Sequence, residues 1–113
     1  MIGRQIAAMT LLVTGFLLSG CTGSTSPGGA ADAVVKIRDL QFTPNTVTVD
    51  VGDTVVWEFD DEGLYHHVQA RDGSFDSEIV GEGSFSVVFT EPGTYSYSCS
   101  IHPYMTGTII VSD

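Results

Sequence analysis

The chain has 113 residues, enough for one domain, and its 14 acidic residues against 4 basic ones give a formal net charge of −10. A chain this acidic is a poor partner for nucleic acid or for an anionic membrane surface. Composition alone leaves open whether the acidic surface serves solubility or steers the chain toward a basic partner protein.

The first 20 residues have the organisation of an export signal. A positive charge at Arg4 precedes an apolar stretch over residues 6–18, which is too short to span a bilayer. The stretch ends in Leu18-Ser19-Gly20-Cys21, which resembles the bacterial lipobox, where the Cys becomes the lipidated first residue of the mature protein. We therefore predict a lipoprotein signal peptide at residues 1–20. The alternative is an ordinary signal peptide that leaves Cys21 as a free or disulfide-bonded thiol.

Residues 22–33 are small, polar and rich in Gly and Ser, a composition typical of a flexible linker. We predict a tether over residues 21–33, starting at the lipidated Cys21, and one folded domain over residues 34–113. Lipidation places the protein at the outer face of the cytoplasmic membrane or in the periplasm.

From residue 34 onward, short apolar runs alternate with turn signals such as Pro92-Gly93. Val47, Val49 and Val51 alternate with polar residues, and this period of two predicts half-buried strands. No segment has a helical period over three turns. The pattern predicts an all-β fold, a small antiparallel β-sandwich of seven to eight strands. The strands are predicted at 34–40, 46–51, 54–60, 67–71, 84–90, 94–99 and 108–112.

Soft metal-ligand side chains are concentrated near the C-terminus. Cys99, His102 and Met105 lie within seven residues, and His66 precedes them. Taken singly, each is most often a core or surface residue, but two His, one Cys and a weak axial Met are the ligands of a blue-copper electron-transfer site. After the signal peptide the sequence has one further His, His67, and no further Met, so the assignment has little freedom.

Other uses of these residues fit less well. A disulfide between Cys21 and Cys99 would tie the start of the tether to a buried strand end. Zinc is a poorer fit than copper because Met is a weak zinc ligand. Asp60-Asp61-Glu62 lacks the alternating oxygen ligands of a calcium loop, which favours a solvated turn. A copper enzyme would need several further histidines, so we predict no enzymatic activity.

Three segments together resemble the cupredoxins, the family of small blue-copper electron carriers. They are residues 42–57, similar to the family's opening hairpin, residues 65–68, similar to the segment with the first His ligand, and residues 89–108, similar to the last two strands and their ligand loop. The spacing Cys-x₂-His-x₂-Met is similar to that of amicyanins, whereas plastocyanin-like loops are longer between the last two ligands.

The resemblance implies a Greek-key sandwich and one type 1 copper bound by His66, Cys99 and His102 with Met105 as the axial ligand. It also implies a monomeric carrier that moves single electrons between extracytoplasmic redox partner proteins. The alternative is a copper-binding module for copper delivery or buffering, which would use the same residues.

The neighbouring His66 and His67 require a choice, because side chains alternate across a strand and only one can face the metal. The resemblance favours His66, and His67 is the alternative ligand. His67 stands where relatives usually have an Asn that braces the ligand loop, and a His can serve the same purpose. Tyr65 and Tyr104 are expected to flank the site, either as a docking patch or as a shield against water.

Overall fold

The computed structural model describes residues 31–113, which form nine strands in two packed sheets. The predictions for the signal peptide, for Cys21 and for the tether up to residue 30 lie outside the described residues. Over residues 31–113 there is no helix long and apolar enough to span a bilayer. The strands are β1 (Ala33–Arg38), β2 (Gln41–Thr43), β3 (Thr46–Asp50), β4 (Thr54–Phe59), β5 (His66–Ala70), β6 (Asp76–Val80), β7 (Gly83–Val88), β8 (Gly93–Cys99) and β9 (His102–Ser112).

The core follows from the alternation of apolar and polar residues. On β4, Val55, Trp57 and Phe59 are buried, whereas the residues between them are partly exposed. The Trp57 ring packs edge-on against Tyr97 of β8, with 5.4 Å between the centroids. Both side chains are fully buried, and burial raises the pKa of Tyr97 to about 12. This aromatic pair joins the two sheets at the centre of the sandwich.

The predicted all-β sandwich is confirmed. One sheet has the order β3-β9-β8-β5-β6 and the other β2-β1-β4-β7, a layout that fits a Greek key. The neighbouring strands pair antiparallel, except that β9 pairs with β3 and β1 with β4 in parallel. These parallel partners are not joined by hairpins, so turn residues could not reveal their direction.

All seven predicted strands are present, and the structure adds β2 and β6. Both lie at sheet edges, and the burial of β6 does not alternate regularly, so its sequence carries no period of two. Most strand bounds differ from the predicted ones by one or two residues. Among them, β1 includes Ala33, assigned to the tether, and the largest difference is that β9 begins at His102 rather than at residue 108. The early start of β9 reflects the pairing of His102 with Cys99, followed by a register shift before Thr106.

A side chain at position 107 would collide with the ring of Tyr97. Gly107 is buried on β9 and pairs with Tyr97 of β8, and a Cβ built on it would overlap the ring and the phenol oxygen. Gly107→Ala should therefore lower the free energy of unfolding by about 1–3 kcal/mol. Urea denaturation of the copper-free protein measures this change.

The control is Thr106→Ala, at the exposed neighbouring position. In a Tyr97→Leu background, which shortens the opposing side chain, Gly107→Ala should cost less. An equal cost in both backgrounds would contradict the steric explanation.

Candidate metal centre

Three predicted ligands converge at one end of the sandwich. The ligand atoms of His66, Cys99 and His102 all lie within 4.8 Å of one another. The Cys99 Sγ is 4.0 Å from Nδ1 of His66 and 3.6 Å from Nδ1 of His102. In each ring it is therefore Nδ1 that faces the thiol sulfur.

The secondary structure explains this convergence. His66 is the first residue of β5, Cys99 the last of β8 and His102 the first of β9. Because β5 and β8 are antiparallel neighbours, the start of one strand lies beside the end of the other. The turn after Cys99 then returns the chain so that His102 pairs with Cys99.

The four predicted copper ligands differ in exposure. His66 and Cys99 are fully buried, Met105 is 2% exposed, and His102 is half-buried. Met105 lies on β9, three residues after His102, on the strand that carries that ring. The fifth predicted site residue, Cys21, lies outside the described residues. The arrangement therefore has a buried interior and a surface edge at His102.

Asp61 holds the far side of the His66 ring. Nε2 of His66 donates a hydrogen bond to Oδ2 of Asp61 at 2.8 Å, and the carboxylate also accepts the amides of Asp39 at 3.0 Å and Leu40 at 3.1 Å. Burial raises the pKa of Asp61, but these hydrogen bonds outweigh it, so the pKa lies below its usual value. A carboxylate on the second nitrogen fixes the tautomer and leaves Nδ1 free to bind a metal.

His67 lies apart from the three converging residues. Its Nδ1 is 2.6 Å from Oγ of Ser100, and its Nε2 donates to Oδ1 of Asp76 at 2.6 Å. The structure thus separates the two neighbouring rings as strand alternation requires.

Sequence reasoning missed the partners of both histidines, Asp61 and Asp76. Asp61 was interpreted as part of a solvated turn, yet its side chain is 14% exposed. The available signal was a carboxylate five residues before a ligand His, since metal-binding His residues usually donate their second ring N–H to such a group.

Both predicted flanking tyrosines are exposed, Tyr65 at 61% and Tyr104 at 68%. The Tyr104 ring lies 6.1 Å from that of His102, centroid to centroid. Exposure to this degree fits a contact surface better than a shield against water.

The donor set fits copper. The donors are one thiol, two imidazoles that face the site through Nδ1, and a thioether. This mixed soft set suits both oxidation states of copper. Three of the four donor residues, His66, Cys99 and Met105, are buried away from water. The fold and the site together define a small copper-binding β-sandwich.

Comparison with known proteins gives the family. The protein-family model of the cupredoxin-like domain matches residues 8–111 of this chain. The chain is 36% identical over 99 residues to amicyanin of Paracoccus denitrificans, covering 78% of this chain and 75% of the relative. It is 31% identical over 104 residues to amicyanin-alpha of Methylorubrum extorquens, covering 87% of each. A solved purple cupredoxin from Nitrosopumilus maritimus superposes with a TM-score of 0.64 at 31% identity, covering 72% of this chain and all of the other.

The chain therefore belongs to the cupredoxin family, which confirms the resemblance seen in the sequence. Its amicyanin and plastocyanin relatives are electron carriers and not enzymes, and the family's cofactor is one type 1 copper. The chain is accordingly an electron-transfer protein with a candidate copper site at His66, Cys99 and His102.

Replacing Asp61 should change the reduction potential of the copper-loaded protein. Its negative charge makes the His66 ring a stronger donor and favours the more positively charged cupric state. Asp61→Asn should therefore raise the potential by about 59 mV, equivalent to tenfold in a one-electron equilibrium. Protein-film voltammetry measures this shift.

The matched control is Asp60→Asn, which removes the same charge from the adjacent residue. Asp60 is exposed and pairs with Arg38 at 2.6 Å instead of with a ligand ring. Equal shifts in both variants would show that the hydrogen bond to His66 has no role.

Proposed function

We propose that this chain is a lipid-tethered, monomeric carrier that moves single electrons between partner proteins outside the cytoplasmic membrane. The observation that carries the proposal is the convergence of His66, Cys99 and His102 at the end of a rigid sandwich. Copper delivery or buffering is the competing use of the same residues.

In this proposal His66, Cys99 and His102 would hold copper strongly, and Met105 would be the weak fourth ligand. The bound copper supplies the one-electron chemistry by alternating between its cuprous and cupric states. Cys99 is held by β8, and His66 is held by β5 and by Asp61, so neither side chain needs to rearrange when the charge changes. Little rearrangement favours fast electron transfer over release of the metal.

His102 is the proposed point of electron entry and exit, because it is the ligand closest to the surface. Exposed apolar side chains lie just before His66 and on either side of His102 in the sequence, and such a patch suits a brief protein contact. They are Leu64, Tyr65, Ile101 and Tyr104.

Exposed acidic residues border this apolar patch. Asp39 lines a surface groove with Tyr104, Glu62 lies two residues from Leu64, and Glu82 follows Gly81, which packs near the Tyr65 ring. A partner with an apolar centre and a basic rim would therefore complement this face.

The spectrum of the copper-loaded protein tests the ligand assignment. Copper bound to the Cys99 thiolate should give an intense visible absorption band and the narrow copper hyperfine splitting of a blue site in electron paramagnetic resonance. Cys99→Ser should abolish both features. His66→Ala should lose the blue site, whereas His67→Asn should retain it.

A colourless copper-loaded protein would contradict the proposed function. Loss of the blue site in His67→Asn but not in His66→Ala would reverse the assignment of the two rings. Rapid loss of copper to a chelator during repeated redox cycling would favour copper delivery.

The proposed lipid anchor rests on Leu18-Ser19-Gly20-Cys21 and on the Gly/Ser-rich composition that follows it. Expressed with its full sequence in a bacterium, the protein should partition into the detergent phase of a Triton X-114 extract, and Cys21→Ser should move it to the aqueous phase. Cys99→Ser is the matched control and should stay with the detergent. Recovery of the unsubstituted protein in the aqueous phase would contradict lipidation.

A further inference from the structure

Two consecutive residues at the start of β5 face two consecutive residues at the end of β8, the last residue of the strand and the one after it. Side chains alternate along a strand, so the inner members, His66 and Cys99, face the metal site, and the outer members, His67 and Ser100, lie behind it. The inner atoms, Nδ1 and Sγ, are 4.0 Å apart. The outer atoms, Nδ1 of His67 and Oγ of Ser100, are hydrogen-bonded at 2.6 Å.

The outer hydrogen bond lies beyond the last backbone pair of these strands. The ladder between β5 and β8 comprises two residue pairs, and the pair nearer the metal site joins Gln69 to Ser98. In the same register His67 lies opposite Ser100. The side-chain hydrogen bond therefore links the two strands where they reach the ligands and where the described backbone pairing has ended.

Asp76 fixes the other side of the His67 ring. A carboxylate has no proton to donate, so Nε2 of His67 donates to Oδ1 of Asp76, at 2.6 Å. The hydrogen bond from His67 and the amide of Glu78 hold the pKa of Asp76 below its usual value. His67 is only 8% exposed. Both nitrogens of its ring are hydrogen-bonded, one to Ser100 and the other to Asp76.

The backbone of β6 also donates a hydrogen bond to the Asp76 carboxylate. Glu78 has a φ of 66°, in the left-handed region that costs free energy for a residue other than Gly. In this conformation its amide donates to Oδ1 of Asp76 at 2.7 Å. The pairing of β5 with β6 also shifts register between His67 and Gln69, at the level of the same contact.

His67 can brace the ligand loop as the Asn of relatives does. We propose that Asp76 is the charged anchor of this outer brace, a chain of hydrogen bonds from Asp76 through His67 to Ser100 that sets the separation of His66 and Cys99. Asp76 orients the His67 ring, the ring holds Ser100, and each outer residue shares a peptide unit with a ligand. All three are positioning residues and not ligands. Through Asp76, the strand β6, which carries no ligand, helps to position the metal site. The inference rests on the copper site of the proposed function.

The decisive variant is Asp76→Ala, on an exposed edge position that leaves the core intact. Loss of a group that orients a ligand typically weakens metal binding 10- to 100-fold, and for this more distant anchor we expect about tenfold weaker copper affinity. The copper hyperfine splitting in electron paramagnetic resonance should change as well. In the copper-free protein, the amides of Ser100 and Ile101 should exchange with solvent faster.

The matched control is Glu78→Ala, which removes an exposed acid two residues along the same strand and keeps the amide that Asp76 accepts. It should leave copper affinity, the hyperfine splitting and amide exchange unchanged. His67→Leu should reproduce the effects of Asp76→Ala, and His67→Asn, which can still reach Ser100 through an amide, should restore part of the affinity. In the His67→Leu background, Asp76→Ala should add no further change.

The inference is wrong if Asp76→Ala behaves like Glu78→Ala in all three measurements, or if its effect persists undiminished beside His67→Leu. Failure of the proposed function has a different signature, because the unsubstituted protein would then lack the blue spectrum. If the unsubstituted protein is blue and Asp76→Ala has no effect, the inference about the brace is wrong and the proposed function stands.

Discussion

The antiparallel contact between the start of β5 and the end of β8 is the constraint on which the metal centre depends. Tyr97 is locked in the core against Trp57, and Cys99 follows it by two residues on the same face of β8. The aromatic core therefore determines where the thiol sulfur emerges. Because His66 begins the adjacent strand, its ring meets that sulfur without any contribution from a flexible loop. We expect donors held in this way to keep their positions in either oxidation state.

The site has a buried part, which hydrogen bonds hold in place, and an exposed edge at His102. The buried His66 ring is satisfied by Asp61, so its burial carries no unpaired N–H, which would otherwise cost about 1–3 kcal/mol. His102, in contrast, is half-buried, and its ring lies 6.1 Å from that of the exposed Tyr104, centroid to centroid. In the proposed function, the interior stabilises the geometry, and the exposed edge at His102 is where an electron would enter and leave.

Sequence reasoning recovered the features that depend on local pattern. Alternation predicted strands such as β3 and β4, and the spacing of Cys99 and His102 predicted the ligand loop. The edge strand β6 was not predicted, because its exposed residues need not alternate between apolar and polar. Asp61 was taken for a solvated turn residue because its role depends on two amides more than twenty residues away, which fold against it only in the tertiary structure.

The most direct test of this account is X-ray absorption at the copper edge of the loaded protein in both oxidation states. A centre held by strands and by Asp61 should give one short copper–sulfur distance and two copper–nitrogen distances, nearly unchanged between the oxidised and reduced protein. Nitrogen and oxygen neighbours without the short sulfur, or a large rearrangement on reduction, would contradict it.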